Sequence, residues 1–422
     1  MFNPSVPVVM DADTFCKHFR HVLAKPQYAH FYSLVISMMV AIRAHRVTDA
    51  VRLFEFRRHW TNAYGFLRSR AWDAVALLQA LWDLIFEEMK RPSHVFLILD
   101  DTTVRHAGAK KIPGVRSHYN ASAQNDPCRP RKIWGHQWIL LGLAAMLTPL
   151  HWECLPLCAQ LVEKGVSKLE LALRILASIR IPATTILTVI ADGWYTKCPF
   201  LQSLREMKVH YIGKVRRDAR VYDLPKAPDK PKRGRPAMKG QRVYLADITT
   251  DVPEISGASV VIRKLKRKID AWSRILVLKN GLNIKVVVAR WRKKNGREKW
   301  LYLLCTDLEF GTLEIIRHYD ARWMIEPCFC DLKQKGGFAS YSGRSLRGHN
   351  AWAQICCVAR TLLVLLRMKK HCVQIDPWRH STQPDYATSG QMRAELNMNF
   401  KHFLQLTQDA HNSADSGIFK CQ

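Results

Sequence analysis

The chain has 422 residues, and its 65 Lys and Arg against 35 Asp and Glu give a formal charge of +30. Charge of that size repels itself, so it makes sense against a polyanion, and nucleic acid is the leading partner. The length allows two or three domains, and 48% hydrophobic residues with 13 Trp exclude a disordered chain.

Residues 1–90 read as helical, with apolar residues at helical spacing from Thr48 to Met89. The polar stretch "RHWTNAYG" (58–65) reads as a break between two helices, which allows a helix-turn-helix-like unit or a plain bundle. The period then changes. "HVFLILD" (94–100), "HQWILLGLAAML" (136–147), "ILTVIAD" (186–192) and "VHYIGKV" (209–215) read as strands. Between them "SKLELALRILASI" (167–179), with Ser167 and Glu170 as a capping box, and "CPFLQSLREM" (198–207) read as helices. That alternation implies an α/β core around a central sheet.

Residues 216–242 read as a basic loop: from Lys214 to Arg242 there are eleven Lys or Arg and three Asp. Its "KRGRPAMK" (232–239) holds Arg233 and Arg235 in an Arg-Gly-Arg-Pro sequence, either a minor-groove arm or a solvated linker that touches phosphates. A β-rich stretch follows, and 284–308 reads as a hairpin across Asn295-Gly296 with a type I′ turn. "RHYDARWMIEPCFCDLKQK" (317–335) reads as an amphipathic helix stopped by Gly336-Gly337, and a last helix is expected over 346–370. The tail from about 377 to 422 is polar. The domains implied are 1–90, 91–215, 216–308, 309–375 and 376–422.

The longest apolar runs, 31–42 and 138–150, are too short to span a bilayer, and the N-terminus does not resemble a signal peptide. No membrane is expected, and the location expected is the cytoplasm, at the nucleoid. The twelve cysteines lack metal-site spacing and fall mostly in apolar runs, so they read as reduced core residues.

Three carboxylates carry the chemistry. Asp100 and Asp192 each end a buried strand, where open α/β sheets place their sites, although a capping or turn Asp would look the same. Glu326 lies on a helix stripe with Tyr319, Arg322 and Lys333. At 100° per residue, and counting from Tyr319, these fall near about −60° (Arg322), −20° (Glu326) and −40° (Lys333). Alone, the stripe would be a solvated face with one ion pair. Three carboxylates together repel unless a cation lies between them, and oxygen donors select Mg²⁺ or Mn²⁺ over zinc. Pro327 either kinks this helix or opens a new one at its start.

The order Asp, Asp, Glu with Tyr319-x2-Arg322-x3-Glu326-x6-Lys333 resembles the DDE transposases of bacterial insertion sequences, in the insertion-sequence-four-type branch. "LDDTT" (99–103), "IADGWYTKCPFLQSL" (190–204) and "GHQWILLGLA" (135–144) resemble that family's blocks. The resemblance covers roughly 90–370. It implies a ribonuclease-H-like catalytic core with a β-rich insertion before the last catalytic helix, preceded by a helical end-binding domain. It implies Asp100 (with Asp101 as the alternative), Asp192 and Glu326 as ligands of a two-metal Mg²⁺ or Mn²⁺ site. Tyr319, Arg322 and Lys333 would hold DNA phosphates. Trp300, with Trp291, would be a candidate for a flipped base or for sheet packing. The implied activity is cleavage at the ends of a mobile element and joining of the 3′-OH to target DNA, by a dimer. A DNA-binding protein without catalysis, or a nuclease that cuts without joining, is the alternative.

Overall fold

The computed structural model describes residues 6–42, 46–54, 61–106, 112–120, 123, 126, 128, 130–148, 151–225, 237–249, 251–262, 265–293, 295–369 and 388–405. The chain opens with α1 (Val6–Lys17), α2 (Lys25–Val40), α3 (Val47–Leu53), α4 (Thr61–Arg68) and α5 (Ala74–Glu88). Of the break expected at 58–65, residues 58–60 lie outside the described residues and 61–65 are helical. α4 begins at Thr61 and buries Ala63, Phe66 and Leu67, a three-and-four spacing hidden among polar neighbours. Where the chain does turn, Trp72 is buried and donates to the Phe66 carbonyl, and Asp73 caps α5 through the Val75 N–H.

The sheet begins with β1 (His94–Arg105), β2 (Arg116–Tyr119), β3 (Lys132–Thr148) and β4 (His151–Leu161). Leu97, Ile98 and Leu99 of β1 are fully buried, each contributing about 1.5–3 kcal/mol of transfer free energy. Next come α6 (Lys168–Ala177), β5 (Ile186–Ala191), α7 (Cys198–Glu206) and β6 (His210–Lys214). Ser167 caps α6 as expected, but Glu170 pairs with Arg174 at 2.5 Å. β1 runs antiparallel to β3 and parallel to β5, and β5 runs parallel to β6.

Sequence reasoning did not find β4, because Pro156 interrupts its apolar run. The strand accommodates the proline at a register shift against β3, where Leu141 faces Cys158 and Gly142 faces Pro156. The carbonyls freed there are taken by a helix: Thr361 donates to Pro156 and Gln354 to Leu157.

Two-residue strands β7 (Val221–Tyr222) and β8 (Arg242–Val243) lead to β9 (Ile255–Ile262), β10 (Leu265–Leu278), β11 (Asn283–Arg292) and β12 (Glu298–Cys305). β12 pairs antiparallel with β6, so the β-rich stretch continues the core sheet, giving twelve strands among the described residues. The β11–β12 hairpin forms as expected, with a different turn. A type I′ turn closes a two-residue loop; here Gly296 has φ 77°, and the pairing of Lys293 with Arg297 leaves three residues between them. The turn closes with Gly296 N–H on Lys293 and Lys293 N–H on Arg297.

The remaining helices are α8 (Thr312–Ala321), α9 (Ile325–Gln334), α10 (Leu346–Met368) and α11 (Ser389–Met398). α10 holds Gln354 and Thr361 and lies along β4 and α2. Among the described residues it alone is long and apolar enough to cross a membrane, and 94% of its most apolar window is buried inside the protein. Of the cysteines described, Cys16, Cys154, Cys158, Cys305, Cys328, Cys356 and Cys357 are free and buried, and Cys128 and Cys330 are exposed.

A buried ion lattice ties these elements together. Glu153 of β4 pairs with Arg360 and Arg367 of α10, each at 2.7 Å. Arg360 also pairs with Asp331 of α9 at 2.7 Å, and Arg393 of α11 reaches Asp331 at 3.3 Å and the Met38 carbonyl of α2. Burial would push the Glu153 carboxyl up, but Arg360, His151 and Arg367 hold it far below the carboxylate range. Removing one partner of such a lattice leaves uncompensated buried charge. Glu153→Gln is therefore expected to cost about 3–5 kcal/mol, read as a lower denaturant midpoint at neutral pH. An unchanged midpoint would contradict this role.

Candidate active site

The register of β1 and β5 brings two of the carboxylates together. Leu99 faces Ala191 in the last pair of that parallel ladder, so Asp100 and Asp192 follow at the same level on adjacent strands. Successive side chains on a strand point to opposite faces, and this separates Asp100 from Asp101. Asp101 is engaged on the α6 side: Lys168 Nζ meets Oδ1 at 2.7 Å, Gln137 donates to Oδ2 at 2.9 Å, and the Tyr195 hydroxyl donates to Oδ1 at 3.3 Å. Asp100 faces the α8–α9 side, where Arg322 Nη1 meets Oδ2 at 2.9 Å. Its Oδ1 accepts the Asp101 N–H at 2.8 Å.

Asp192 lies just past β5. Its Oδ1 accepts the Trp194 N–H at 2.9 Å, and its carbonyl accepts the Tyr211 hydroxyl at 3.3 Å. Tyr211 also meets Thr196 Oγ1 at 2.9 Å, so it pins the loop that carries Asp192. Gly213, two residues along β6, makes room for this ring; a Cβ there would lie 2.3 Å from the Tyr211 hydroxyl oxygen.

Glu326 arrives from a jointed segment, not from one helix. α8 ends at Ala321, Arg322–Met324 form a 3₁₀ turn, and α9 starts at Ile325. Pro327 is the third residue of α9, not its first, and the 3₁₀ turn lies just before it; in the first turn its missing N–H costs no intrahelical bond. Ile325, Cys328, Phe329 and Leu332 bury the back of α9. Arg322 Nη2 meets Glu326 Oε1 at 3.6 Å, and Glu326 remains 43% exposed at the side chain.

Arg322 is the common neighbour. Burial works against its charge, yet Tyr319, Asp100, Glu326 and Asp192 together hold its pKa above the usual value. Asp100 moves the other way: burial raises its carboxyl to about 7, against the pull of Arg322. Tyr319 is buried, and its phenol is pushed up to about 12 by burial. Lys333 reaches the same strand as Arg322, two residues beyond Asp100. Its Nζ donates to Thr102 Oγ1 at 2.5 Å and to the Thr103 carbonyl at 3.1 Å, on the continuation of β1, and burial lowers its pKa.

The other expected site residues lie elsewhere. Trp300 stacks with Trp272 (6.1 Å between centroids, 24°) and Tyr302 (6.5 Å, 18°), with Arg290 5.6 Å from the Trp300 ring. The Trp272 and Arg290 contacts are cross-strand, from β10 and β11, whereas Tyr302 is Trp300's neighbour on the same face of β12. Trp291 is partly buried against the hydrophobic core. Arg233 and Arg235 lie outside the described residues. Sequence reasoning missed Lys168, Trp194, Tyr195 and Tyr211: Trp194 and Tyr195 stand in the "IADGWY" block itself, whereas only the fold brings Lys168 and Tyr211 to "LDDTT" and that block.

The donor set fits a hard divalent cation, since it consists of carboxylate oxygens without thiolate or imidazole. Among the described residues, however, no three metal-ligating side chains group closely enough to hold an ion in this conformation. The Arg322 guanidinium supplies the positive charge among them instead.

A large mixed sheet with acidic side chains at the ends of neighbouring parallel strands, in a strongly basic chain, is consistent with a nuclease fold. A family model described as DDE superfamily endonuclease matches residues 14–276, well over half the chain, and the protein belongs to that family. The matched span includes Asp100 and Asp192 and ends before Glu326. No curated protein matches the chain. Membership supports a nuclease- or transposase-type enzyme, and members of this superfamily generally use divalent metal ions and act on DNA.

The two adjacent aspartates should behave oppositely. Asp100, with a folded pKa raised to about 7, has stability that is full below the unfolded value and lost as pH rises through 7. Asp100→Asn should thus raise stability by roughly 1–2 kcal/mol at pH 8 and change it little near pH 4. Asp101→Asn loosens Lys168 and should lower stability by about 1–3 kcal/mol. Denaturant titrations at the two pH values check both, and equal effects of the two substitutions would refute the division of roles.

Proposed function

We propose that this protein is a DNA transposase of the insertion-sequence-four type. It binds the ends of a mobile element, cleaves them by phosphodiester hydrolysis and joins the freed 3′-OH to target DNA. The observation that carries this reading is the β1–β5 register, which aligns Asp100 with Asp192, together with Arg322, which links Asp100 to Glu326. The strand order β4-β3-β1-β5-β6, with only β1, β5 and β6 mutually parallel, supports a ribonuclease-H-like core. Strands β9–β12 lie between Asp192 and Glu326, as the β-rich insertion of that branch would.

In this reading Asp100, Asp192 and Glu326 would hold Mg²⁺ or Mn²⁺, while Asp101 stays with Lys168. When bound, the ions supply activation of a water and stabilisation of the leaving oxygen. Arg322 does two things in turn. It neutralises the carboxylates of the free protein and, once released from Asp100, offers its planar fork to a strand phosphate. Lys333 stays against Thr102 and Thr103 and presents a point charge near the strand that follows Asp100. The helical segment 1–90 would bind the element's end, the basic stretch 214–242 would add phosphate contacts, and two copies would bridge two ends. The setting is the bacterial cytoplasm, at the nucleoid.

The test is metal-dependent cleavage of DNA carrying the element's own terminus. Asp192→Ala and Glu326→Ala should reduce cleavage by at least about a thousandfold, the scale of losing a principal electrostatic group, while leaving end binding intact. Robust cleavage by either variant would sink the assignment. A pre-cut 3′-OH end should be joined to target DNA by the wild type, and failure there would reduce the reading to a nuclease. Binding should weaken steeply with salt.

A further inference from the structure

Trp194 is unlike most of the tryptophans packed into this core. Trp72, Trp82, Trp138, Trp272 and Trp352 are buried, whereas Trp194 is 40% exposed. It follows Asp192 by two residues and is fastened to it by its own N–H. Two ammonium groups lie against the indole: Lys168 Nζ at 3.7 Å and Lys197 Nζ at 4.0 Å from the ring centroid. The two lysines are held differently. Lys168 is fixed from behind by Asp101, whereas Lys197 is exposed at the start of α7. Near them in the chain, a cavity of about 270 Å³ opens at the ends of β5 and β6, lined by Gly193, Thr196, Lys214, Arg216 and Asp218, the last two paired at 2.8 Å.

An exposed indole gathers two like charges here, within two residues of a site carboxylate. Electron-rich rings hold cations, but an exposed cation–π contact is weaker than stacking of a nucleobase on the same ring. An arriving base would displace the exposed Lys197 ammonium from the ring toward the phosphate of the same nucleotide. Lys168 would stay in place, tied to Asp101. A base paired inside a duplex has both faces covered by its neighbours, so only an unstacked nucleotide presents a face to Trp194.

We propose that Trp194, with Lys197, is a stacking plate for an unpaired nucleotide of the DNA strand beside Asp192, with the adjoining cavity receiving its flanking phosphate. This deepens the reading of the protein as a DNA end-processing enzyme and rests on it. The probe is a duplex with a short oligo-dT single-stranded extension, compared with the same duplex blunt-ended, in fluorescence anisotropy without divalent metal. Trp194→Ala should weaken binding of the extended duplex by about tenfold and leave the blunt duplex unchanged. Trp194→Phe should keep most of the affinity, and Lys197→Ala should lower the salt slope on the extended duplex by about one. Equal loss on both duplexes, or no loss on either, would overturn the plate, as would a fall in the thermal midpoint of Trp194→Ala, which would make the ring a packing element. A wild-type protein that binds neither duplex would overturn the DNA reading itself, and the plate with it.

Discussion

The lattice of Glu153, Arg360, Arg367, Asp331 and Arg393 is the constraint on which the other arrangements depend. α9 is ten residues long and is preceded by a joint, so its own hydrogen bonds do little to fix where it points. Its orientation comes from Asp331, clamped to Arg360, and from the apolar side chains Ile325, Cys328, Phe329 and Leu332. Glu326 lies five residues before Asp331 on that helix. The carboxylate of the site is thus positioned by charges buried on the far side of the same helix. The arrangement is costly in desolvation, but it locks β4, α9, α10, α11 and α2 into one relation.

The strand ends follow a second rule. β1 starts in the core and outlasts β5, so its later residues emerge from the ladder half-exposed on both faces. Two adjacent aspartates at that point receive opposite surroundings. Asp101 is neutralised by a lysine and two hydrogen-bond donors and behaves as a structural carboxylate. Asp100 has its carboxyl pKa raised to about 7 by burial, with one guanidinium and one backbone N–H as its partners. A group held this way is poised to exchange partners, whereas a satisfied one is not.

Much of the core was legible because buried strands and amphipathic helices write their periods plainly: β1, β5, β6, α6, α7, α10 and the β11–β12 hairpin all lie where the pattern puts them. β4 was hidden because Pro156 breaks the local rule and the repair comes from Gln354 and Thr361, some two hundred residues away. α4 was hidden because it is short and its neighbours are polar. Strand ends and helix repeat pointed to Asp100, Asp192, Arg322 and Glu326, and the structure sets Arg322 against Asp100 and Glu326 with Asp192 on the strand beside Asp100. Spacing could not find Lys168 or Tyr211, whose partners are fixed by tertiary packing. Of the helix stripe, Arg322 reaches Asp100 and Lys333 reaches Thr102, two residues further along β1.

Pro327 has one further consequence. A carboxylate in the first turn of a helix is commonly drawn onto the unpaired N–H groups of that same turn. The proline withdraws its own N–H immediately after Glu326, so one internal rival for those oxygens is gone. The positive end of the helix dipole still favours the ionised carboxylate there. An imino acid in the chain thereby removes one backbone donor from beside a site carboxylate.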